Sequence, residues 1–368
     1  MLKRVLPILA VISLAACGAP AAAPTATQPP ATSVPTVASA GSNADLSAIK
    51  TYLLDKAGEL STSSAKLSEI SNRYYDVAKA ANFDYQALWT KQGDVVSQTI
   101  QDARAEWIVA SPLYEQMEGI VAGVPALAQY DVILDSGTSA QEGGDNVVPF
   151  DLKLPDGRTL SKPGNLFGVT ESTLWGTFPD YMAKDVQPDF NHNGKSDFGE
   201  RLPDANVLKA GAEALSTYSA QLLNDAKQWT PSVPDAFTAL VVMVPTMSEY
   251  FESWKHSRYI AGDASTQRDF VAVSRLNDIQ DILSSLQVVH EGVSPLIQAT
   301  DQAQDEAIAQ GLTNLKQFVR GVDDQEKNGK HFSPEEADTL GAEAQSRATA
   351  ITGQISQMAA KLNIKIEQ

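Results

Sequence analysis

The sequence predicts an all-α fold of two helical-bundle halves, interrupted by an irregular excursion that carries a small hairpin and a calcium-type loop. Three observations predict it. Apolar residues recur at three- and four-residue steps over long stretches, strict alternation is confined to Phe150–Leu160, and proline, glycine and capping residues punctuate the helical runs. The 368 residues are enough for two ordinary domains. Lys plus Arg number 28 against 45 Asp plus Glu, a net charge of −17 that repels phosphate backbones and excludes a nucleic-acid partner. A single cysteine excludes a disulfide framework and any cysteine-based zinc or iron–sulfur centre.

Residues 1–16 read as a signal peptide: Lys3 and Arg4, an apolar run too short to span a bilayer, then small residues. Leu14-Ala15-Ala16-Cys17 resembles the lipobox of bacterial lipoproteins, in which the cysteine thiol receives diacylglycerol before cleavage. Cys17 is therefore the expected lipidation site, and the expected location is the cell envelope, lipid-anchored and extracytoplasmic, with the membrane as a partner. Residues 17–44 form an Ala/Pro/Thr-rich linker, with no charge from Gly18 to Asn43, that buries too little apolar surface to fold.

Residues 45–232 are expected to form an N-terminal bundle with an inserted loop at 123–203. Leu46, Ile49, Leu53, Leu60, Leu67, Ile70, Tyr74 and Ala78 mark a first helix that Asp45 can cap. A second begins after Asp84 and carries Leu88, Val96, Ile100, Trp107 and Met117 before Gly123 and Pro125 end it. In the inserted loop, Phe150–Leu160 alternates around Pro155-Asp156-Gly157, a hairpin pattern. A short helix near 167–178 and a longer one over about 204–229 follow. Residues 233–368 are expected to form a C-terminal bundle with helices over roughly 234–259, 267–290, 295–322 and 334–362. Ser333-Pro334-Glu335-Glu336 is a capping box with proline at the first helical position.

Asp189-Phe-Asn-His-Asn-Gly-Lys-Ser-Asp-Phe-Gly-Glu200 places oxygen donors at loop positions 1, 3, 5, 9 and 12: Asp189, Asn191, Asn193, Asp197 and Glu200. Gly194 falls where such loops turn sharply, and Lys195 offers its backbone carbonyl at position 7. Hard calcium takes such a ring of carboxylate and amide oxygens, so calcium is an expected cofactor. Ser196 stands where paired loops carry an apolar residue, and Pro188 and Pro203 leave no room for long flanking helices, so a lone loop is expected. No nucleophile elbow, H-E-x-x-H or Gly-rich phosphate loop is present to anchor catalysis.

Two stretches resemble the imelysin family, which includes EfeO-type iron-uptake lipoproteins. Trp107-x-x-Ala110-Ser111-x-x-Tyr114-x-Gln116-x-Glu118 is similar to W-x-x-A-R-x-x-Y-x-Q-x-E, and Phe167-Gly168-x-x-Glu171-x-x-Leu174-Trp175-Gly176 is similar to F-H-x-x-E-x-x-L-W-G. Ser111 replaces the usual arginine, and Gly168 stands where the H-x-x-E signature has its histidine. The resemblance implies a two-bundle body with a metal site near the second motif, Glu118 and Glu171 as inherited ligand candidates, a second divalent or iron cation as cofactor, and a membrane permease or surface partner. Without the histidine, an all-oxygen site is favoured. The leading expectation is a non-catalytic metal-binding or uptake lipoprotein. The alternatives are a metal-dependent hydrolase using Glu118 and Glu171, and a structural surface protein stabilised by calcium.

Overall fold

Helix α1 (Ser47–Ala80) and helix α2 (Tyr85–Val121) form an antiparallel pair, as their apolar periodicity requires. Asp45 accepts the Ser47 N–H at 3.0 Å, and Asp84 caps α2 by accepting from Ala87 at 2.9 Å. The computed structural model describes residues 44–265 and 267–367, so the signal peptide, Cys17 and the linker up to Asn43 lie outside the described residues.

The inserted segment contains a short helix α3 (Gln129–Asp131) that passes directly into a π-helical turn, Val132–Ser136. Strands β1 (Asp151–Lys153) and β2 (Thr159–Ser161) pair antiparallel with Leu152 opposite Leu160. Gly157 supplies the positive φ, +90°, that their turn needs. Helix α4 (Leu166–Trp175) is capped by Asn165, which accepts from Gly168, and ends at Gly176 in the left-handed conformation. After a 3-10 turn at Pro179–Tyr181 the chain has no helix from Met182 to Asp204, and α5 (Ala205–Gln228) then packs along α1.

The second half comprises α6 (Val233–Met243), α7 (Met247–His256), α8 (Arg258–Ala261), α9 (Arg275–Lys327) and α10 (Pro334–Lys361). The predicted capping box of α10 is present in both directions, Ser333 Oγ accepting from Glu336 N and Glu336 Oε2 from Ser333 N. The described residues are 71% helical with two short strands, an all-α helical bundle. The turn at 232/233 separates α5 from α6, and helices pack across it: α2 lies along α9 and also meets α6. No helix among the described residues is long and apolar enough to cross a membrane.

Helix boundaries in the second half differ from those expected. The 234–259 run is broken at Pro245, whose ψ of 15° ends α6 in a 3-10 turn. The run expected at 267–290 begins at Arg275, because 267–274 forms a strap in which Phe270 has a φ of +55°. Pro295 does not divide α9. It lies on the exposed face, so the Glu291 carbonyl it leaves without a helical donor faces water. The kink comes at Asp301, which caps the following turn by accepting from Gln304 N at 3.1 Å.

Candidate metal centre

The last turns of α2, the π-helical turn and the first turn of α9 converge on one acidic chamber. On the buried face of α2, Glu115 and Glu118 stand three residues apart, which puts both carboxylates on the same side of the helix. Gly119 makes the approach to α9 possible, since a Cβ there would collide with Ser285 and Leu286. The π-helical turn directs Asp135 into the same space. Glu115, Glu118 and Asp135 are the one group of three acidic or histidine side chains among the described residues whose candidate ligand atoms all lie within 4.8 Å of one another.

These carboxylates are 2%, 3% and 6% exposed, and each keeps an oxygen without a hydrogen-bond donor: Oε2 of Glu115, Oε2 of Glu118 and Oδ2 of Asp135. Buried acceptors are normally paired, because leaving one bare costs about 1–3 kcal/mol. Three carboxylates within reach of one another, each with an oxygen that has no hydrogen-bond donor, form a donor set whose charge Arg275 offsets only in part. Tyr250 holds the other oxygen of Glu118 at 2.8 Å, and Tyr114 donates to Asp131 at 2.7 Å on the rim. Burial pushes the Glu115 and Asp135 carboxyls well above the usual carboxylate range, with neighbouring acids adding to the effect. Burial likewise pushes Asp278, in the first turn of α9, up to about 7. Arg275 feels the opposite balance. Burial disfavours its charge, but Glu115, Asp135, Asp278 and Glu118 outweigh that and hold it firmly protonated.

Glu171 stands beside this chamber with a different task. Its Oε2 accepts from Phe270 N at 2.7 Å, and its Oε1 accepts from Val271 N and Ala272 N, both at 2.9 Å. Both oxygens therefore latch the 267–274 strap. Burial and nearby Asp269 push its carboxyl up to about 8 against the three N–H bonds. Glu171 and Glu115 line a small cavity of about 10 Å³ together with Ser111 and Gly168, and Glu118 and Asp135 line an adjoining cavity of about 430 Å³, with Phe270 lining both. The two glutamates singled out in the sequence thus flank one region, with Glu118 in the convergent trio and Glu171 outside it. A side chain at Gly168 would meet Asp269 Oδ2 at 2.9 Å and Asn165 Oδ1 at 3.0 Å.

Sequence reasoning passed over Glu115, Asp135, Arg275 and Asp278. Glu115 carried a signal, a second glutamate one turn before Glu118 on an otherwise apolar face. The other three are brought in by tertiary folding and have no local pattern.

The Asp189–Glu200 loop is built as a sharp turn around Gly194, which has a φ of +82°. Asp189 accepts from Asn193 N and Gly194 N at 3.0 and 2.7 Å, Asn191 Oδ1 from Asn193 N, and Asn193 Oδ1 from Lys195 N. Asp197 accepts from Asn193 Nδ2 at 2.6 Å, and Glu200 accepts from Phe190, Asn191 and Asp197 N–H. Its acids are spread over separate donors rather than gathered into a repelling cluster, because the loop's own amides compensate their charge.

The imelysin (peptidase M75) family model matches residues 53–358. The chain belongs to the imelysin family. The match runs from α1 to α10 and so takes in both halves and every wall of the acidic chamber. No curated protein matches the chain at a significant level.

Proposed function

We propose that this imelysin is a cell-envelope lipoprotein that binds a hard metal cation without catalysis, as a component of metal uptake, at Glu115, Glu118 and Asp135. The observation that carries the reading is the set of three unpartnered carboxylate oxygens on residues at least nine-tenths buried. The residues lining the two adjoining cavities include no histidine or cysteine, so the donors are all oxygen and suit a hard ion such as Mg²⁺, Mn²⁺ or an iron cation. The resemblance of the Gly168–Glu171 stretch to the H-x-x-E signature agrees with this. With glycine in the histidine's place, that position offers no nitrogen donor, in keeping with an all-oxygen set. The peptidase in the family's name gains nothing from these residues. An EfeO-type role would add a permease as partner, with the Cys17 anchor and the uncharged linker holding the body outside the membrane.

A second reading concerns calcium at Asp189–Glu200, favoured by five side-chain donors at the loop spacing, the Lys195 carbonyl and a glycine already turned at position 6. It is compatible with the first, a structural ion beside a bound cargo ion.

Elemental analysis of the purified protein after dialysis against a weak chelator tests the main reading. One bound divalent or iron cation per chain is expected, lost in Glu118→Gln and in Asp135→Asn. Equal metal content in the wild type and both variants would show that the chamber is not the site. For the anchor, Cys17→Ser in a bacterial host should move the protein from the membrane fraction to the soluble one.

A further inference from the structure

The chamber contains one permanent positive charge of its own. Arg275 is buried, and its guanidinium lies between two aromatic rings, 4.7 Å from the Tyr250 centroid and 4.4 Å from that of Phe270. Nη1 is 3.1 Å from Asp278 Oδ2 and 3.5 Å from Glu115 Oε1, and Nη2 is 3.7 Å from Asp135 Oδ2. The first distance is a normal hydrogen bond, the second marginal, and the third a Coulombic contact only. Nε finds no acceptor.

A buried arginine among carboxylates ordinarily forms bidentate, fork-to-fork pairs. This one does not. The guanidinium packs against both rings, at marginal range of Glu115 Oε1 and within Coulombic reach only of Asp135 Oδ2, so that Glu115 Oε2 and Asp135 Oδ2 are left without a hydrogen-bond partner. Two of the three candidate ligand groups therefore face the guanidinium as well as the space a cation would take. A guanidinium cannot lose its proton, so its charge stays when a cation enters. At such separations inside a protein, like charges repel strongly, and the repulsion grows with the charge of the incoming ion.

We propose that Arg275 is a specificity-determining residue of the chamber, an internal counter-cation that shares Glu115 and Asp135 with the bound ion, opposes that ion in proportion to its charge, and so favours divalent over trivalent cargo. The inference rests on the cation reading given above. In the metal-free protein Arg275 keeps the carboxylates together, and in the loaded protein it limits how much additional positive charge they retain.

Calorimetric titration of the full chain with Mn²⁺ and, separately, with La³⁺ tests this in the wild type, Arg275→Met and Arg275→Lys, with Glu118→Gln identifying the heat that belongs to the chamber. Methionine keeps an unbranched apolar side chain between the two rings. Arg275→Met should bind Mn²⁺ at least about tenfold more tightly than the wild type and La³⁺ by a larger factor, while Arg275→Lys stays within about threefold of the wild type. A purely structural role for Arg275 would weaken both ions alike and would not be rescued by lysine. If neither wild type nor Arg275→Met gives chamber heat with either ion, the cation reading itself falls, and this inference with it. If the wild type binds but Arg275→Met binds no better, or gains equally for both ions, this inference alone is overturned. Should Arg275→Met fold only with Mn²⁺ present, the ion has taken the guanidinium's place, as proposed. Failure to fold with or without the ion overturns the proposal.

Discussion

At Glu171 a single carboxylate closes three backbone N–H groups of a strap that has no secondary structure to satisfy them. Glu171→Gln puts an amide NH₂ where one of those N–H groups needs an acceptor. It should cost about 1–3 kcal/mol, and amide exchange at Phe270–Ala272 should speed up ahead of exchange in the helices. Unchanged exchange there would deny the latch. The pH response follows from Asp278, pushed up to about 7, and Glu171, pushed up to about 8, chiefly by burial. The folded chain keeps protons on these groups that the unfolded chain releases near pH 4, so the unfolded state binds fewer protons between those limits. Metal-free stability should therefore fall as pH rises from about 4 to about 8, and a bound cation, which takes the ionised carboxylates, should restore more of it at the upper end. Thermal melts across that range, with chelator and with Mn²⁺, measure both effects. Glu118 and Glu171 were legible in the sequence through motif resemblance, and Glu115 was legible by spacing. Asp135 was not, because only the π-helical turn brings it to α2, and no periodicity marks such a turn.

Among the elements, long helices declared themselves through apolar spacing and caps, and the errors fell where proline was given too much or too little weight. Pro295 sits on the wet face of α9 and costs one hydrated carbonyl, so the helix runs on, whereas Pro245 ends α6. The strap at 267–274 was expected to be helical, since its sequence carries no breaker. Glu171 and the Phe270–Arg275 stack fix it in another conformation, a tertiary cause invisible to local pattern. The Asp189–Glu200 loop is the element whose sequence was most specific. If it takes calcium, thermal stability should rise with free calcium by about 2.7 kcal/mol at a hundredfold excess over the dissociation constant. Asp189→Ala combined with Glu200→Gln should abolish that rise without loss of helical signal. Equal melting temperatures in excess calcium and excess chelator would leave the loop a turn held by its own amides.

Over the whole molecule, the acidic composition, the all-α helical fold and the family were all within reach of the sequence, because each depends on composition or on pattern summed over many residues. The chamber was not, since it is assembled from α2, the inserted segment and α9, whose contributors lie as far apart in sequence as Glu115 and Asp278. Its position explains why the inserted segment belongs to the fold. The segment brings Asp135 to the helices, and the strap before α9 brings Phe270 to Arg275 and its backbone to Glu171. The central claim, that this buried acidic chamber is a cation site, is tested most directly by anomalous X-ray diffraction from crystals equilibrated with Mn²⁺. The account predicts a manganese peak within ligand distance of Glu115 Oε2, Glu118 Oε2 and Asp135 Oδ2, absent in Glu118→Gln. Peaks confined to the Asp189–Glu200 loop or the outer surface, with none among the three carboxylates at saturating Mn²⁺, would contradict it.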